Sequence, residues 1–420
     1  MTRSRGISRR SFVRSAVAIG GASALAACMG PEASEEIPQA SLAPEELPNR
    51  QHAWDEYVPA DEHGNPRAPE HHVLLNLEYV GDGPDDDERD QLEDAFETLE
   101  RAFERGSDGL AFTVGYSPAY FDRFESELPG SVDLPHPEPL AGSEEGQVDL
   151  DEYDALIHLS SDYGSAVLWA EEALKGEKAA VNGVDVEGTL EGIFEITERR
   201  TGFIGDGLPA ENQDVSGVPD SEPVPEDSPL FMGFKSGFKQ NQATEDRVTI
   251  EEGPFAGGTT THLSKMHIDL HQWYEQDSRE QRVQKMFCPA HNAEDRVEGA
   301  GHNLGTSSGV EACAEQIEED ARGGVVGHGQ KAARAREDGQ PIILRRDFNS
   351  TDGDEPGLHF LAHQREIADF VETRAQMNGS DLNVPRANNG ILQYIRLRNR
   401  ANYLVPPREH RSLPTPNPES

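Results

Sequence analysis

The chain is short of lysine, of sulfur and of long apolar runs. Its 420 residues include 7 Lys against 30 Arg, 3 Cys and 6 Met, and apolar residues make up 35%. Basic side chains number 37 against 78 acidic ones, a formal charge of −41. A surface of that sign is repelled by nucleic acid and by anionic lipid, which excludes both as partners held by charge. No apolar stretch reaches the ~20 residues that cross a bilayer. What the sequence does have is carboxylate along its whole length. Molar salt cuts the Debye length to ~3 Å and removes the self-repulsion of such a chain, so the composition predicts a protein of a salt-rich habitat. The 16 Phe fall in patterned segments, as a folded core requires.

The first residues read as targeting signals. Ser8, Arg9, Arg10, Ser11, Phe12 and Val13 form the S-R-R-x-F-x pattern of a twin-arginine export signal, and Ala16 to Ala27 is weakly apolar and short. Leu25, Ala26, Ala27 and Cys28 match the small-residue box before a lipidated cysteine. The expectation is a signal peptide over 1–27, cleavage before Cys28, and a lipid tether on the outer face of the cell membrane. The twin-arginine route carries folded proteins, often with a cofactor installed, so it raises the expectation of one here. Residues 28–70 hold many Pro, Glu and Ala without apolar periodicity and are expected to be an extended tether.

Further on, strands and helices alternate. Val73 to Val80 predicts a strand, and Leu92, Ala95, Phe96, Leu99, Ala102 and Phe103 share one helical face. Strands at Leu110–Tyr116, Ala155–Ser160 and Gly192–Glu198, with a helix at Ala166–Leu174, complete a βαββαβ order over 71–201. After a loop-rich connection, 202–258, the alternation resumes over 259–407. Strands are expected at Thr259–Ile268, Ile342–Phe348 and Gly357–His363, and helices at Trp273–Phe287 and Glu366–Met377. An insertion spans 288–339, and residues 408–420 are expected to be a disordered tail. The fold class is thus α+β, with two ferredoxin-like domains built on antiparallel sheets, of the dimeric α/β-barrel-like kind.

One constellation suggests chemistry. His328 lies on a connection leading into Ile342, Ile343, Leu344, Arg345 and Arg346. An arginine at the inner end of an apolar strand is costly unless it faces a charged ligand. A histidine in that setting is a candidate ligand to haem iron.

Five blocks give the chain a resemblance to the dye-decolorising (DyP-type) haem peroxidases. They are Leu110-Ala-Phe-Thr-Val-Gly-Tyr-Ser-Pro118 with Phe121-Asp-Arg-Phe124, then Leu230-Phe-Met-Gly-Phe-Lys-Ser-Gly237, then the strand from Gly257-Gly258 to Asp269-Leu270. Ile343-Leu-Arg-Arg-Asp-Phe-Asn349 and Gly357-Leu-His-Phe-Leu-Ala-His-Gln-Arg365 follow in the family's order. The resemblance implies one haem b in the C-terminal domain, with His328 as axial ligand and metal contact and Arg345 facing bound peroxide. It also places Gly233, Gly237 and Asn349 at the cofactor. The implied activity is reduction of hydrogen peroxide at the expense of an unidentified small-molecule or protein electron donor, in a monomer or homo-oligomer. Arginine suits that role because its fixed charge steadies a departing hydroxide without being consumed.

One position departs from the family. Its fingerprint is G-x-x-D-G, and here Ser236 stands where the proton-shuttling Asp belongs. A serine hydroxyl is no base at neutral pH, and general acid–base help is worth 10²–10⁴-fold. Asp206, in Gly202-Phe-Ile-Gly-Asp-Gly-Leu-Pro209, is a replacement candidate, although Asp-Gly is also a common turn. Two other readings stay open: a weakly catalytic or non-catalytic haem-binding lipoprotein, and a ferredoxin-like interaction module without haem.

Cys288, His291, His302 and Cys313 have a spacing that zinc could use, or the two cysteines could form a disulfide. His262, His267 and His271 do not converge, since alternation sends His262 and His267 to opposite faces. Arg396, Arg398 and Arg400 are expected on a solvated face beside carboxylates.

Overall fold

Alternation along β1 (His71–Tyr79) sorts its residues to two faces. Val73, Leu75 and Leu77 join the core beneath the helices, while Leu74 joins a separate cluster on the opposite face. α1 (Asp86–Ala102) begins at Asp85, whose carboxylate accepts from the Glu88 backbone N–H, and lays Leu92, Ala95, Phe96, Leu99 and Ala102 on the sheet. β2 (Ala111–Tyr116), β3 (Ala155–Ser161), α2 (Gly164–Leu174) and β4 (Phe194–Phe203) complete this half. All its pairs are antiparallel, in the order β4-β1-β3-β2.

The second half contains β5 (Thr259–Ile268), α3 (Arg279–Met286), α4 (His328–Ala332), β6 (Phe348–Ser350), β7 (Gly357–Gln364), α5 (Ile367–Asn378) and β8 (Ile395–Val405). Its order is β8-β5-β7-β6, again antiparallel. The computed structural model describes residues 36–418 apart from residue 82 and residues 141–147. The halves meet edge to edge and close an antiparallel barrel, which leaves neither sheet with an open side. Each seam is narrow: Phe203 pairs with Asn349 at one, and Tyr116 with Leu404 at the other.

Side chains mend both seams. The Gln51 amide accepts from Val114 N–H at 2.8 Å and donates to the carbonyls of Val114 and Pro406 at 3.1 and 2.8 Å. Asn349 donates to the carbonyls of Phe203 and Pro229, both at 3.0 Å, and accepts from Phe231 N–H at 2.9 Å. Within the barrel, Leu74, Leu156, Leu263 and Leu361 pack with Phe348, whose ring stacks on His72 at 4.2 Å. His72 bonds to His158 at 2.9 Å, and His359 and His363 flank Leu361 along β7. Burial pushes these imidazoles below their ordinary range, His158 to about 3, so the interior histidines are neutral.

Several expectations change. The chain expected as a tether is folded in from residue 36: Gln51, His52 and Trp54 are buried, and Trp54 carries the Arg346 guanidinium over its ring at 4.6 Å. The tail expected to be disordered is anchored as far as Leu413, which is fully buried. Arg411 pairs with Glu93 and Glu100, and Arg408 with Glu100, all from α1. Ion pairing, invisible to apolar periodicity, holds this segment. The helix expected over Trp273–Phe287 breaks at Asp277, because Ser278 caps α3 through its hydroxyl and Gln281 N–H. The strand expected at Ile342–Phe348 is reduced to Leu344–Arg345 before β6. β8 carries the arginine stripe, and there Arg396 and Arg398 are exposed while Arg400 is buried over Phe370. The export motif at Ser8–Val13 and Cys28 lies outside the described residues. Among those described, no helix is long and apolar enough to cross a membrane.

Candidate functional site

On the outer face of the second half, the β alternation presents an apolar floor without a full cover. Met266 and Ile268 of β5, Leu358 and Phe360 of β7, and Ile395 and Leu397 of β8 line one side of a cavity. Phe231 and Phe234, from the segment before β5, close another side, and α4 and α5 lie above. The space is about 1800 Å³ with its mouth included.

His328 opens α4 and lines the cavity. Close backbone approach fixes its turn. A Cβ on Gly327 would lie 1.8 Å from the Phe287 carbonyl oxygen, and one on Gly390 would lie 3.1 Å from His328 N. Gln330 N–H donates to the Phe287 carbonyl at 3.2 Å, and Gly390 N–H to the Val326 carbonyl at 2.9 Å. Burial drives the His328 imidazole down to about 3, and the positive charges of Lys331, Arg345 and Arg374 push the same way. The ring is therefore neutral, the form that binds a metal. Its Nδ1 is buried with no hydrogen-bond partner among the described residues.

Arg345 and Asp347 stand two residues apart on an extended segment, so both side chains point to the cavity side. Arg346, between them, turns the other way and pairs with Glu245 at 2.7 Å. The Arg345 backbone N–H is held by Gln242 at 2.7 Å. Neither its guanidinium nor the Asp347 carboxylate has a hydrogen-bond or ion-pair partner among the described residues. A second, more polar cavity of about 1410 Å³ adjoins the first. Ser236, Arg345 and Asp347 line both and form part of the wall between them.

The structure thus brings His328, Arg345 and Ser236 to one cavity. It does not bring the other expected residues there as ligand contacts. Asp206 lines only the outer cavity, at the surface, 3.6 Å from His302. Gly237 lines that cavity too, with φ 78°, as a turn former. Gly233, with φ 84°, lines neither; a Cβ there would lie 2.9 Å from the Tyr274 hydroxyl. Asn349 borders the main cavity, but all its polar side-chain atoms are spent on backbone partners, so it braces the seam. Cys288 and Cys313 are joined as a disulfide, and His302 lies apart, bonded to the Asp227 carbonyl at 2.9 Å. His262 faces Asn402 and Ser264 and does not converge with His267. Asp347 is the residue that sequence reasoning missed. Its signal was present, since a residue two positions from a cavity arginine on an extended segment shares its face.

The comparisons with known proteins concern the fold. A family model described as a family of unknown function, DUF7405, matches residues 69–407. No curated protein matches the chain. Among solved structures the chain is similar to a dye-decolorizing protein from V. cholerae, with a TM-score of 0.53 and 14% identity over 86% of this chain and 99% of that one. It is similar to a variant of DypB from Rhodococcus jostii RHA1 in complex with heme, with a TM-score of 0.53 and 16% identity over 87% and 99%. A DypB variant in complex with manganese gives 0.51 and 16% over 87% and 99%. At such identities the likeness is one of architecture: an α+β chain whose antiparallel barrel and helices have the DyP-type fold.

Proposed function

The chain belongs to DUF7405, a family of unknown function, and from its cavity we propose that it is a haem-binding protein acting as a DyP-like peroxidase on hydrogen peroxide. The observation that carries this reading is a neutral histidine and an arginine without a partner among the described residues, both lining one apolar cavity. The residues fit the group: a flat apolar macrocycle with acidic substituents needs apolar walls, a nitrogen donor for its metal and a counter-charge. His328 would supply the nitrogen and Arg345 the counter-charge, with Phe231, Phe234, Leu358 and Ile395 as walls that exclude water. When bound, haem would supply the iron at which the O–O bond of peroxide is cleaved.

The chain's own residues divide the remaining work. Arg345 holds developing negative charge without changing protonation state. The Asp347 carboxylate, on the same side of the backbone, is placed to take and return a proton where Ser236 cannot. The outer cavity reaches the same wall and gives a small polar oxidant a route to it.

A purified sample in molar salt titrated with haemin tests the reading. A Soret band that disappears in His328→Ala supports it, and no band in the native chain rejects it. Peroxide with a dye donor then measures turnover, and Ser236→Asp should raise it if position 236 corresponds to the family's acid.

A second reading, haem binding with little turnover, draws on the unpartnered Nδ1 of His328. Metal-bound histidines commonly donate that proton to a carboxylate or carbonyl, which raises their basicity. Here the charges around the ring, on Lys331, Arg345 and Arg374, are positive. We read the two four-strand halves as ferredoxin-like units from their shared strand order. Export by the twin-arginine route with a lipid on Cys28 is proposed from the sequence motifs alone. Mass analysis of the membrane-bound protein would test it.

A further inference from the structure

Cys288, His291 and Cys313 form a second cluster, in the insertion and fully buried. His291 Nδ1 lies 3.0 Å from Cys288 Sγ and 3.5 Å from Cys313 Sγ. On the far side of the ring, Nε2 lies 2.5 Å from the Ser308 carbonyl oxygen. A carbonyl has no proton to give, so Nε2 carries the hydrogen and donates it. With the hydrogen on Nε2, the neutral tautomer has its lone pair on Nδ1. That lone pair faces two sulfurs which, joined as a disulfide, offer it neither proton nor charge.

The geometry is that of a metal-ligating histidine. Its outer nitrogen is anchored on a carbonyl, its inner nitrogen is aimed at two sulfurs, and its ring is stacked on Phe287 at 5.4 Å. The three ligand atoms lie within 4.8 Å of one another, a spread one cation can bridge. His302, which the spacing alone would have added, takes no part.

We propose that Cys288, Cys313 and His291 Nδ1 form a redox-gated site for one thiophilic closed-shell cation, zinc or copper(I). A dithiol reductant opens it. Two electrons and two protons pass to the disulfide, the S–S bond breaks, two S–H bonds form, and the reductant becomes a disulfide. The cation then replaces both thiol protons, which leave to solvent, and the Nδ1 lone pair completes an S₂N set. Such a set suits trigonal copper(I) as it stands and zinc with a fourth donor such as water. The site is also tied to the helix that carries His328, because Gln330, two residues further on, donates its side-chain amide to the Cys313 carbonyl at 2.8 Å.

The test uses the full chain with Cys28→Ser, so that only the two cysteines of the site remain. It is prepared oxidised, or reduced with a dithiol and desalted without oxygen, and given zinc or copper(I). Metal per chain is then measured after a second desalting. The expected result is about one equivalent of one cation on the reduced chain, at least about tenfold more than on the oxidised chain, with His291→Ala weakening retention by about 10–100-fold. Chelator competition with each cation shows which of the two is preferred. Cobalt(II) in place of zinc should give a sulfur-to-metal charge-transfer band. The proposal is overturned if the reduced chain holds no more of either cation than the oxidised chain, a comparison that needs no variant at the site. Retention undiminished in a folded His291→Ala chain would overturn the ligand set. Neither outcome bears on haem uptake, which is read separately from the Soret band.

Discussion

The two halves of the barrel share a strand order and differ in what lies on their outer faces. On the amino half, α1 and α2 press a continuous layer of Leu, Ala and Phe onto the sheet, and the layer is filled. On the carboxyl half the chain after β5 forms a short helix, Leu270–Gln276, that buries Leu270 and Trp273, and then α3, a polar helix in which Val283 is the buried apolar residue. A long insertion then delivers α4, which with α5 lies above an apolar floor that the cavity leaves without a full cover. One topology can therefore serve as structure or as container, depending on how apolar the crossover helix is. That difference is written in the sequence: six apolar residues at helical spacing between β1 and β2, against one apolar turn around Leu270 and Trp273 followed by the charged α3 after β5.

The widest separation between the halves should appear in chemistry. With haemin bound, Asp347→Asn is expected to lower peroxide turnover by about 10²–10⁴-fold while leaving the Soret band in place. No substitution in the amino-half core that preserves folding should do so. If turnover is unchanged and Ser236→Ala abolishes it, the proton is handled elsewhere than at Asp347.

Stability should show the contrast next. Phe96→Ala, in the filled layer, is expected to cost about 3–5 kcal/mol in denaturant unfolding at high salt, because the space it leaves cannot be refilled. Leu358→Ala, on the cavity floor, already lacks partners on one side and should cost about 1–2 kcal/mol. Equal costs would mean that the cavity collapses in solution.

A third contrast is acid sensitivity, which belongs to the barrel interior shared by both halves. His72, His158, His359 and His363 have folded pKa values below their ordinary 6.5 because of burial. The unfolded state therefore binds more protons than the folded one just below pH 6.5. The stability they contribute is complete above that pH and is lost as pH falls, by about 1.4 kcal/mol per unit for each such group. His363→Gln should make the acid limb of the stability curve shallower by one proton; an unchanged slope would show that this imidazole is charged in the fold.

The smallest expected effect is His328→Leu in the absence of haemin. Removing an imidazole whose Nδ1 is buried without a partner should change stability by less than about 1 kcal/mol, and in the favourable direction. A large loss would mark His328 as a structural residue and not a ligand.

How much of this could be read from the chain itself follows from the same physics. β1, β3, β5 and β7 and both helices of the amino half announce themselves by period, because they separate a wet face from a dry one. β8 was missed since Arg396 and Arg398 alternate along it and give its exposed part a polar signature. The segment at Gln51–Trp54 and the tail at Arg408–Leu413 have no period to read; single side chains seated in the barrel seam and on α1 fix them. At the site, His328 and Arg345 stood out together in the sequence and took their roles from the family resemblance, whereas Asp347 was accessible from its two-residue spacing to Arg345. Of Gly233, Gly237 and Asn349, the structure sets Asn349 at the border of the main cavity and Gly237 at the outer one, and shows Gly233 shaping a turn beside Tyr274.

The anchoring of the tail on α1 carries a consequence for the order in which the molecule matures. Glu93 and Glu100 are synthesised 318 and 311 residues before Arg411, the guanidinium that neutralises them. A ribosome adding about 5–20 residues per second holds these carboxylates without counter-charge until translation is nearly over. The first half to emerge therefore receives the counter-charges of Arg408 and Arg411 last.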